Sequence, residues 1–429
     1  MAPVPNPKHV AIIGAGISGT ALALALHKYS IPCRIYESRN QGFDVIASGV
    51  TITPNGCQVL DKLGVLDRIT PRSYAHSTMT FKNDRDETVE VAETGSRDKH
   101  GYDTHRLYRK ELFDELKIIL AEKEIPIEYG AKFKRVVRES AEEGVVFQLS
   151  DGRIENAMLL VGADGIWSSV RTYVAPCTPE YTGISCVYGH IPTNNVRWPG
   201  DDFEKVSTIQ GKPGSFFMSP EVADGSELMV GKQFRHPSLD RAGWDALAAD
   251  KDKLYAFLRD GYEEWHDTAR SIIDQLGLYK DSLLLWSFTR IPYMERWTSP
   301  SGRILIVGDA AHAMPPSSGQ GVNQALEDVY SLTLLLSRLL LKDNEIVPLS
   351  TDSLNVALDF WKKLRQSRVD AILEIVKMTN IKRLPEAERA KLAAKMEAEG
   401  IVDKSAEWRE WIYKPTIEAD IATYFDKQP

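Results

Sequence analysis

Residues 10–37 constrain the fold of this chain more than any other stretch. They read VAIIGAGISGTALALALHKYSIPCRIYE, in which a short apolar run precedes Gly14, Gly16 and Gly19 in a G-x-G-x-x-G spacing. An Ala/Leu-rich segment follows, and a second short run ends at Glu37. This order predicts a buried parallel strand, a buried helix and a second strand within the roughly 30-residue unit that binds dinucleotides.

Each part of this unit has a chemical task. Gly14 permits the tight turn, Gly16 lets the backbone approach a pyrophosphate, and Gly19 lets the helix pack closely on the strand. The helix N-terminus offers N–H groups and a positive dipole end to phosphates. Glu37 is placed to accept hydrogen bonds from a ribose and to repel a 2′-phosphate, which predicts FAD or NAD rather than NADP as the tightly bound dinucleotide. The alternative is an ordinary strand–helix–strand turn without a ligand.

Length and charge narrow the class of protein. The chain has 429 residues, more than one hydrophobic core usually supports, so two or three structural units are expected. A hydrophobic content of 43% with 26% charged residues is typical of a soluble globular enzyme. The net charge of −8 argues against nucleic acid or an anionic membrane as the main partner.

The cysteines and histidines indicate neither disulfides nor a metal. The four cysteines have no C-x-x-C spacing and are interpreted as reduced packing residues of a cytoplasmic protein. The nine histidines show no H-E-x-x-H pattern, and His100 and His105 are interpreted as surface residues. The N-terminus, MAPVPNPK, has no apolar signal core, and no run approaches 18 apolar residues. We therefore expect no metal and no membrane span.

Hydrophobic periodicity predicts a mixed chain of helices and strands. Helices are predicted at 54–66, 105–124, 244–262, 322–341, 353–377 and within 384–429. Strands are predicted at 79–81 and 88–91 as a hairpin, at 127–129, 133–138 and 145–149 as a meander, at 157–161 and 304–307 as buried strands, and at 185–190, 215–219 and 228–234 in a separate sheet.

Two further motifs place an aspartate beside a glycine after a buried strand. They are VGADGIWSSVR, which contains Asp164, and GDAAHAMPPSSGQGVNQALED, which contains Asp309. The carboxyl ends of parallel strands are where open α/β sheets bind ligands. A carboxylate there can accept hydrogen bonds from sugar or ribityl hydroxyls.

The second motif also opens a long helix. Gly319 and Gly321 precede the predicted helix at Val322, whose N-terminus directs N–H groups and positive dipole towards a ligand above it. Such an arrangement favours a reduced flavin, which carries negative charge at its N1–C2=O edge.

Together the three motifs resemble those of the class A, single-component flavoprotein aromatic hydroxylases, the group of p-hydroxybenzoate and salicylate hydroxylases. In that family they are the dinucleotide fingerprint, the DG motif and the GD motif. The resemblance runs from residue 10 to about residue 341, and the YGHIP segment and C-terminal helices are most similar to fungal secondary-metabolism monooxygenases.

The resemblance implies an α/β fold: a Rossmann-like FAD-binding domain of the p-hydroxybenzoate hydroxylase type, with an inserted β-sheet substrate domain and C-terminal helices. The implied division assigns 1–75, 105–178 and 291–345 to the FAD-binding domain, 76–104 and 179–290 to the substrate domain, and 346–429 to the C-terminal helical region.

The implied activity is that of an FAD-dependent monooxygenase. NADH or NADPH, bound transiently, reduces the flavin, which reacts with O2 to a C4a-hydroperoxide that hydroxylates or epoxidises an aromatic or other electron-rich small molecule. The chain has neither a second G-x-G-x-x-G nor F-x-G-x-x-x-H-x-x-x-W, which favours class A.

The resemblance also assigns residues to the site. It implies cofactor contacts at Gly14, Gly16, Gly19, Glu37, Gly49, Val50, Arg109, Asp164, Asp309, Gly319, Gly321, Val322 and Asn323. Strand position and residue type predict that Tyr188, Phe216, Met218, Met229 and Phe234 form the substrate wall, with Tyr188 as the one candidate for a catalytic side chain.

One stretch departs from the family pattern. Many relatives have an arginine in a W-R-G segment of the first substrate-domain strand, whereas this chain has Val187, Tyr188 and Gly189. A cation that would pair with a carboxylate or phenolate is therefore absent there. Tyr188 can hydrogen-bond to or stack on a more neutral substrate, and simple packing in a strand explains it equally well.

Two other classes of protein stay open. A flavin-dependent reductase or oxidase, or a halogenase-like enzyme, could use the same fold, although the halogenase signature W-x-W-x-I-P is absent. A non-catalytic FAD-binding protein would keep Gly14, Gly16, Gly19 and Glu37 but would have no need of Asp164 and Asp309.

Overall fold

The computed structural model describes residues 8–42, 48–141, 143–343 and 345–427. Most of the proline-rich lead-in, residues 1–7, lies outside these ranges, as does residue 47 before the strand that begins at Gly49. The strands are β1 (Val10–Ile13), β2 (Cys33–Tyr36), β3 (Gly49–Ile52), β4 (Tyr74–His76), β5 (Thr78–Lys82), β6 (Thr88–Glu93), β7 (Thr104–Tyr108), β8 (Ile127–Glu128), β9 (Phe133–Ser140), β10 (Gly144–Leu149), β11 (Ile154–Ala157), β12 (Leu159–Gly162), β13 (Glu180–Pro192), β14 (Ser207–Gly211), β15 (Gly214–Pro220), β16 (Glu227–Arg235), β17 (Leu284–Arg290), β18 (Ile304–Ile306), β19 (Leu341–Lys342) and β20 (Glu345–Ile346).

The helices alternate with the strands in the first part of the chain and dominate its last part. They are α1 (Ile17–Lys28), α2 (Pro54–Lys62), α3 (Leu66–Ile69), α4 (Arg97–His100), α5 (Arg109–Glu122), α6 (Ser169–Val174), α7 (Arg241–Ala249), α8 (Lys251–Arg259), α9 (Asp267–Leu278), α10 (Asp309–His312), α11 (Gly321–Leu340), α12 (Thr351–Lys382), α13 (Glu386–Ala398), α14 (Ser405–Tyr413) and α15 (Ile417–Asp426). No helix among these is long and apolar enough to cross a membrane.

A five-stranded parallel sheet forms the first core, in the order β18-β12-β1-β2-β8. Strands β1 and β12 are buried along their whole length, which is why their sequences are continuous apolar runs rather than alternating ones. Helix α1 presents a run of small and leucine side chains to this core and packs against α11 and α5. The carboxyl ends of β1, β12 and β18 therefore meet at one edge.

A seven-stranded sheet forms the second core, in the order β17-β13-β16-β15-β14-β5-β6. The hairpin β5–β6 joins it from far earlier in the chain, by parallel pairing of β5 with β14. Helices α7, α8 and α9 cover one face with a separate apolar cluster that includes Trp265, Ile272 and Leu276. The other face is turned towards the rest of the molecule.

The long helix α12 connects the two cores. Its middle packs on α11, and its C-terminal end reaches the seven-stranded sheet. There Gln210 Nε2 donates to the Lys382 carbonyl at 2.6 Å, and Gln233 Nε2 donates to Asn380 Oδ1 at 3.4 Å. The C-terminal region therefore contributes to the same interior as the sheet.

Three predicted elements were wrong in detail. Residues 105–108 belong to strand β7, which pairs with both β3 and β4, and the helix begins only at Arg109. Residues 127–128 join the parallel sheet rather than the meander. The helix predicted at 244–262 is two helices, because Asp250 leaves the helical conformation and its side chain caps α8 by accepting from Lys253 N at 3.0 Å.

Candidate active site

A cavity of about 460 Å³ lies between the carboxyl edge of the parallel sheet and the open face of the seven-stranded sheet. Three parts of the chain provide its wall. The α/β unit contributes Gly16, Gly49, Val50, Arg109, Asp309, Gly319, Gly321 and Val322; the seven-stranded sheet contributes Cys186, Tyr188, Phe217, Met218, Met229, Gln233, Trp286 and Phe288; and the C-terminal helices contribute Ile375, Thr379, Arg383, Arg409, Ile412 and Tyr413.

The glycines of the first motif differ in their surroundings. Gly14 adopts φ +105°, and a Cβ there would lie 2.6 Å from the Ala163 carbonyl oxygen. A Cβ on Gly19 would collide with the Gly14 carbonyl oxygen, whereas a Cβ on Gly16 would meet no protein atom within 4 Å. Gly14 and Gly19 are thus required by the fold, and Gly16 leaves open space at the N-terminus of α1.

Glu37 is 2% exposed and fastens the end of β2 to the glycine-rich turn. Its Oε2 accepts from Ala15 N at 2.8 Å, and its Oε1 accepts from Arg39 N at 2.9 Å. Burial acts to raise the pKa of Glu37, but these backbone hydrogen bonds and Arg39 outweigh it and hold the pKa below its usual value. The carboxylate is ionised and retains acceptor capacity for a hydroxyl.

Arg109 begins α5 directly after β7. Its backbone N–H donates to the Ser48 carbonyl at 2.8 Å, and its side chain lines the cavity. Its buried Nε has no hydrogen-bond partner among the described residues. A guanidinium held in this way is prepared to donate to a ligand oxygen.

Gly49 lies over a buried ion pair that sequence reasoning missed. Arg106 Nη2 donates to Glu221 Oε1 at 2.5 Å, and Arg106 Nη1 donates to Thr51 Oγ1 at 3.0 Å. A Cβ on Gly49 would collide with the Glu221 carboxylate. The two charged partners are separated by 115 positions in the sequence, which leaves no local signal for this pair.

Asp309 follows the turn at Gly308 and faces the cavity. Gly308 adopts φ +58°, and a Cβ there would lie 2.6 Å from Ser18 Oγ. The Asp309 side chain is exposed to the cavity rather than paired in the core. It lies beside Gly321, where α11 begins. A carboxylate and a helix N-terminus therefore border the same part of the cavity.

Two of the predicted cofactor contacts hydrogen-bond to the scaffold. Asp164 accepts from Ser168 Oγ at 2.5 Å and from Ser169 N at 2.7 Å, and thereby holds the start of α6. Asn323 is fully buried: its Oδ1 accepts from Thr53 N at 3.1 Å, and its Nδ2 donates to the Thr51 carbonyl at 3.0 Å. Neither side chain lines the cavity. Each holds a wall element in place, and its contact with the cofactor stays a prediction.

Burial affects the pKa of Asp164 more than these hydrogen bonds do. Removal from water raises the pKa of this carboxyl above its usual value, although the Ser168 hydroxyl and the Val170 and Ser169 N–H groups act in the opposite direction.

The predicted substrate wall is partly corrected by the structure. Tyr188 and Met229 line the cavity, but Phe216 and Phe234 do not. Met218 borders the cavity, while its side chain packs with Phe216 in the helix-covered cluster. Phe216 packs edge-on against Trp265 at 5.1 Å, and Phe234 stacks on Phe257 at 4.1 Å, both on the face covered by helices.

Alternation along the strands explains the correction. Successive side chains of a strand point to opposite faces, so the neighbours of Phe216 and Phe234 occupy the cavity side. Phe217 and Gln233 are these neighbours, and both line the cavity.

Tyr188 is 5% exposed and lies among aromatic rings. Its ring centre is 6.3 Å from that of Trp286. Burial raises the pKa of the Tyr188 phenol well above its usual value, so the group is a neutral hydroxyl at pH 7. It can donate a hydrogen bond or stack, but it cannot act as a phenolate base.

These residues fit FAD. Gly16 leaves open space at a helix N-terminus, Glu37 supplies an ionised acceptor beside that turn, and Arg109 offers a buried donor without a partner among the described residues. Gly319, Gly321 and Val322 bring the N-terminus of α11 to the same cavity.

Comparisons with known proteins agree with this geometry. A sequence model described as "FAD binding domain" matches residues 8–241 and 264–344. A salicylate hydroxylase from Pseudomonas putida is 28% identical over 349 residues, which cover 76% of this chain and 76% of the relative. An FAD-dependent monooxygenase from Gibberella moniliformis is 26% identical over 454 residues, covering 97% of this chain and 96% of that protein.

A crystal structure supports the fold. HpxO from Klebsiella pneumoniae, complexed with FAD and uric acid, has a TM-score of 0.72 at 22% identity and covers 97% of this chain and 96% of its own. The predicted Rossmann-like fold and the resemblance to salicylate hydroxylase-like flavin monooxygenases are therefore confirmed. Since the domain model matches more than half of its residues, this chain belongs to the FAD-binding-domain family.

Proposed function

We propose that this chain is an FAD-dependent monooxygenase that uses NADH or NADPH and O2 to hydroxylate or epoxidise a small aromatic or other electron-rich molecule. The observation that carries the proposal is the single cavity into which both the dinucleotide-binding turn and an aromatic face of the second sheet open. A cofactor held by the first wall and a substrate held by the second would share one water-restricted space.

The first wall holds the cofactor. Gly16 and the N-terminus of α1 receive the pyrophosphate, and Glu37 accepts from the adenosine ribose. The rest of the cofactor would contact Arg109, Asp309 and the N-terminus of α11. When bound, FAD supplies the redox chemistry, accepting a hydride from a nicotinamide and activating O2.

The second wall orients the substrate. Tyr188, Phe217 and Trp286 present aromatic surface, and Met229 provides an adaptable apolar contact. Phe288 also lines the cavity and packs in the same cluster at 2% exposure. The role of these residues is to place an electron-rich ring against the cofactor and to exclude solvent, not to transfer protons.

The nicotinamide donor is expected to bind transiently. The described residues contain one glycine-rich strand–turn–helix unit of the dinucleotide type, which the cofactor occupies. NADH or NADPH would therefore approach the cavity from solvent without a second Rossmann domain.

An anaerobic absorbance titration of the purified holoenzyme with NADPH, and separately with NADH, tests the proposal. We expect flavin bands that bleach, and bleach faster when a compound from a pool of aromatic molecules is present. Admission of O2 should then yield that compound carrying one added oxygen atom.

Other outcomes count against the proposal. A protein that binds no flavin is not an FAD enzyme, and flavin that neither nicotinamide reduces indicates a non-catalytic role. Reoxidation that forms hydrogen peroxide with every compound, without an oxygenated product, favours a reductase or oxidase instead.

A further inference from the structure

Arg383 is a buried cation that the function described so far does not use. It follows α12 directly, where the helix ends at Lys382, and its side chain lines the cavity beside the seven-stranded sheet. Only 8% of the residue is exposed. It belongs to the C-terminal helical region, beyond the residues that carry the cofactor motifs.

The guanidinium of Arg383 has no hydrogen-bond acceptor in the part of the chain that the structure describes. Its Nε is buried without a partner, and its guanidinium carbon lies 4.7 Å over the Phe217 ring. A cation–π contact offsets only part of the cost of removing a charge from water. Burial accordingly lowers the pKa of Arg383 to about 10, which still leaves it protonated at neutral pH.

Other buried arginines of this chain have hydrogen-bond acceptors among the described residues. Arg365 donates to Asp328 Oδ1 at 2.7 Å, Arg368 donates to Glu327 Oε2 at 2.5 Å, and Arg171 donates to the Ala310 carbonyl at 3.0 Å. The cavity-lining Arg106 is neutralised by Glu221. Arg383 differs from all four, since the described residues offer it no ion pair or hydrogen bond.

A second polar group of the same wall is also incomplete. Gln233 lines the cavity, and its buried Oε1 has no partner among the described residues, while its Nε2 donates to Asn380 three residues before Arg383. An unpartnered donor at Arg383 and an unpartnered acceptor at Gln233 Oε1 on one cavity wall indicate a ligand that offers an anionic oxygen to the first and a hydroxyl or N–H donor to the second.

We propose that Arg383 determines substrate specificity by pairing with an anionic oxygen of the substrate, a carboxylate or an acidic phenol or enol. This inference rests on the proposed function, because the anion is taken to be part of the molecule that is oxygenated. The cation missing from the Val187–Gly189 segment is supplied instead by the end of α12, on top of Phe217. The sequence of that segment favoured a more neutral substrate, whereas Arg383 favours an acidic one.

The test is ligand binding to the oxidised holoenzyme, read from the difference spectrum of its flavin and from calorimetry. The probes are benzoate and salicylate against benzamide and salicylamide, and 4-nitrophenolate against 4-nitroanisole. The two sets distinguish a carboxylate from a phenolate as the recognised group. We expect at least one anion to bind wild type about tenfold or more tightly than its neutral counterpart, as one charged hydrogen bond requires.

The variants are Arg383→Gln, Arg383→Lys and the matched control Arg389→Gln. Arg389 is a half-buried arginine six residues away that donates to the Leu384 carbonyl and does not line the cavity. Arg383→Gln should lose the preference for the anion, Arg383→Lys should keep part of it, and Arg389→Gln should keep all of it. Without ligand, Arg383→Gln should have a melting temperature at or above that of wild type, because it removes a buried, unpaired charge.

Three results would overturn the inference: no anion preference in wild type, a preference that survives Arg383→Gln, or a preference lost equally in Arg389→Gln. A Gln variant that loses NADPH affinity while keeping the probe preference would assign Arg383 to the nicotinamide phosphate instead. Flavin reduction by NADPH is measured separately. An anion preference that is absent from wild type, or unchanged in Arg383→Gln, therefore refutes this inference, whereas absence of reduction and oxygenation refutes the proposed function.

Discussion

At the scale of single residues, the three glycines of the first motif make separable contributions. A side chain at Gly19 meets the backbone of Gly14, whereas a side chain at Gly16 meets only open space. We expect Gly19→Ala to lower the free energy of unfolding of the apoprotein by about 2 kcal/mol or more, through overpacking. Gly16→Ala should change it by less than about 1 kcal/mol and should weaken FAD binding at least about tenfold.

Urea denaturation of the two apoproteins and calorimetric titration with FAD measure these effects. If Gly16→Ala bound FAD as tightly as wild type, the pyrophosphate could not lie against this turn. Gly14 is not suited to the comparison, because its φ of +105° adds backbone strain to any substitution.

Asp309 is the residue at which cofactor binding can be tested with least disturbance of the fold. Its carboxylate faces the cavity, so its removal leaves no buried partner unpaired among the described residues. Asp309→Ala should weaken FAD binding about tenfold or more, because a charged hydrogen bond contributes about 1.5–3 kcal/mol. Asp309→Asn, which keeps an acceptor, should lose less. Full FAD affinity and turnover in the alanine variant would remove Asp309 from the cofactor site.

At the scale of elements, a buried charge network fixes α11, whose N-terminus borders the cavity. Glu327 and Asp328 on α11 are fully buried and pair with Arg365 and Arg368 on α12. Asn55 on α2 also donates to Glu327, at 2.6 Å. Since α11 also carries the wall residues Gly321 and Val322, the network aligns the site indirectly.

Arg365→Ala tests this coupling. Removing one partner of a buried pair leaves an uncompensated charge, so the free energy of unfolding should fall by about 3–5 kcal/mol. Arg338→Ala, a change at an exposed arginine of α11, should alter it by less than about 0.5 kcal/mol. Denaturation by urea compares the two, and equal effects would contradict a special role for the network.

The same network predicts the response to acid. Burial acts to raise the pKa of Glu327, but Arg368 and Arg365 outweigh it; for Asp328, His312 and Arg365 do so, and both pKa values lie below their usual range. Carboxylates with depressed pKa values stabilise the fold above their unfolded values of about 4, and this contribution is lost as pH falls through the folded values. Stability should therefore decline below about pH 4. The decline should be shallower in Arg365→Ala, because loss of the arginine brings the folded pKa values of the two carboxyls closer to their unfolded values.

Unfolding curves measured from pH 7 down to pH 3 distinguish these cases. A wild-type curve and an Arg365→Ala curve that decline by the same amount would show that the arginine does not set the carboxylate pKa values.

The elements also show which features could be predicted from the sequence. Buried strands such as β1 and β12 were recognisable because continuous apolar runs signal a sheet covered on both faces. The face of a strand was not, because Phe216 and Phe217 are both aromatic and only the position of the helices decides which one lines the cavity. His105 was expected at the surface, yet it is 4% exposed in β7 and bonds to Ser73 at 2.8 Å.

Long-range partners were beyond sequence reasoning for a physical reason. Residue type and local spacing identify the motif residues Gly16 and Asp309, but they carry no information about what lies opposite. Phe217 lies in β15 and Arg383 directly follows α12, far away in the sequence. Their contact depends on where α12 ends. The same holds for the Arg106–Glu221 pair beneath Gly49.

At the scale of the whole molecule, three parts of the chain that are distant in sequence line one cavity. Each ligand should therefore stabilise the part of the wall that it contacts. FAD at a hundredfold excess over its Kd should stabilise the fold by about 2.7 kcal/mol. Amide hydrogen exchange should then slow most around the first turn and at the start of α11, the two regions that border the proposed cofactor space.

Addition of the anion that binds best should extend protection to different elements. If Arg383 pairs with the anion beside Gln233, exchange should slow further in β15, in β16 and in the last turns of α12, with little change at β1. Arg383→Gln should lose the protection that the anion adds and keep the protection that FAD gives. If FAD alone protected β15 and the end of α12 fully, the two walls would form one cooperative unit that closes on the cofactor, and the anion would bind to a site already assembled.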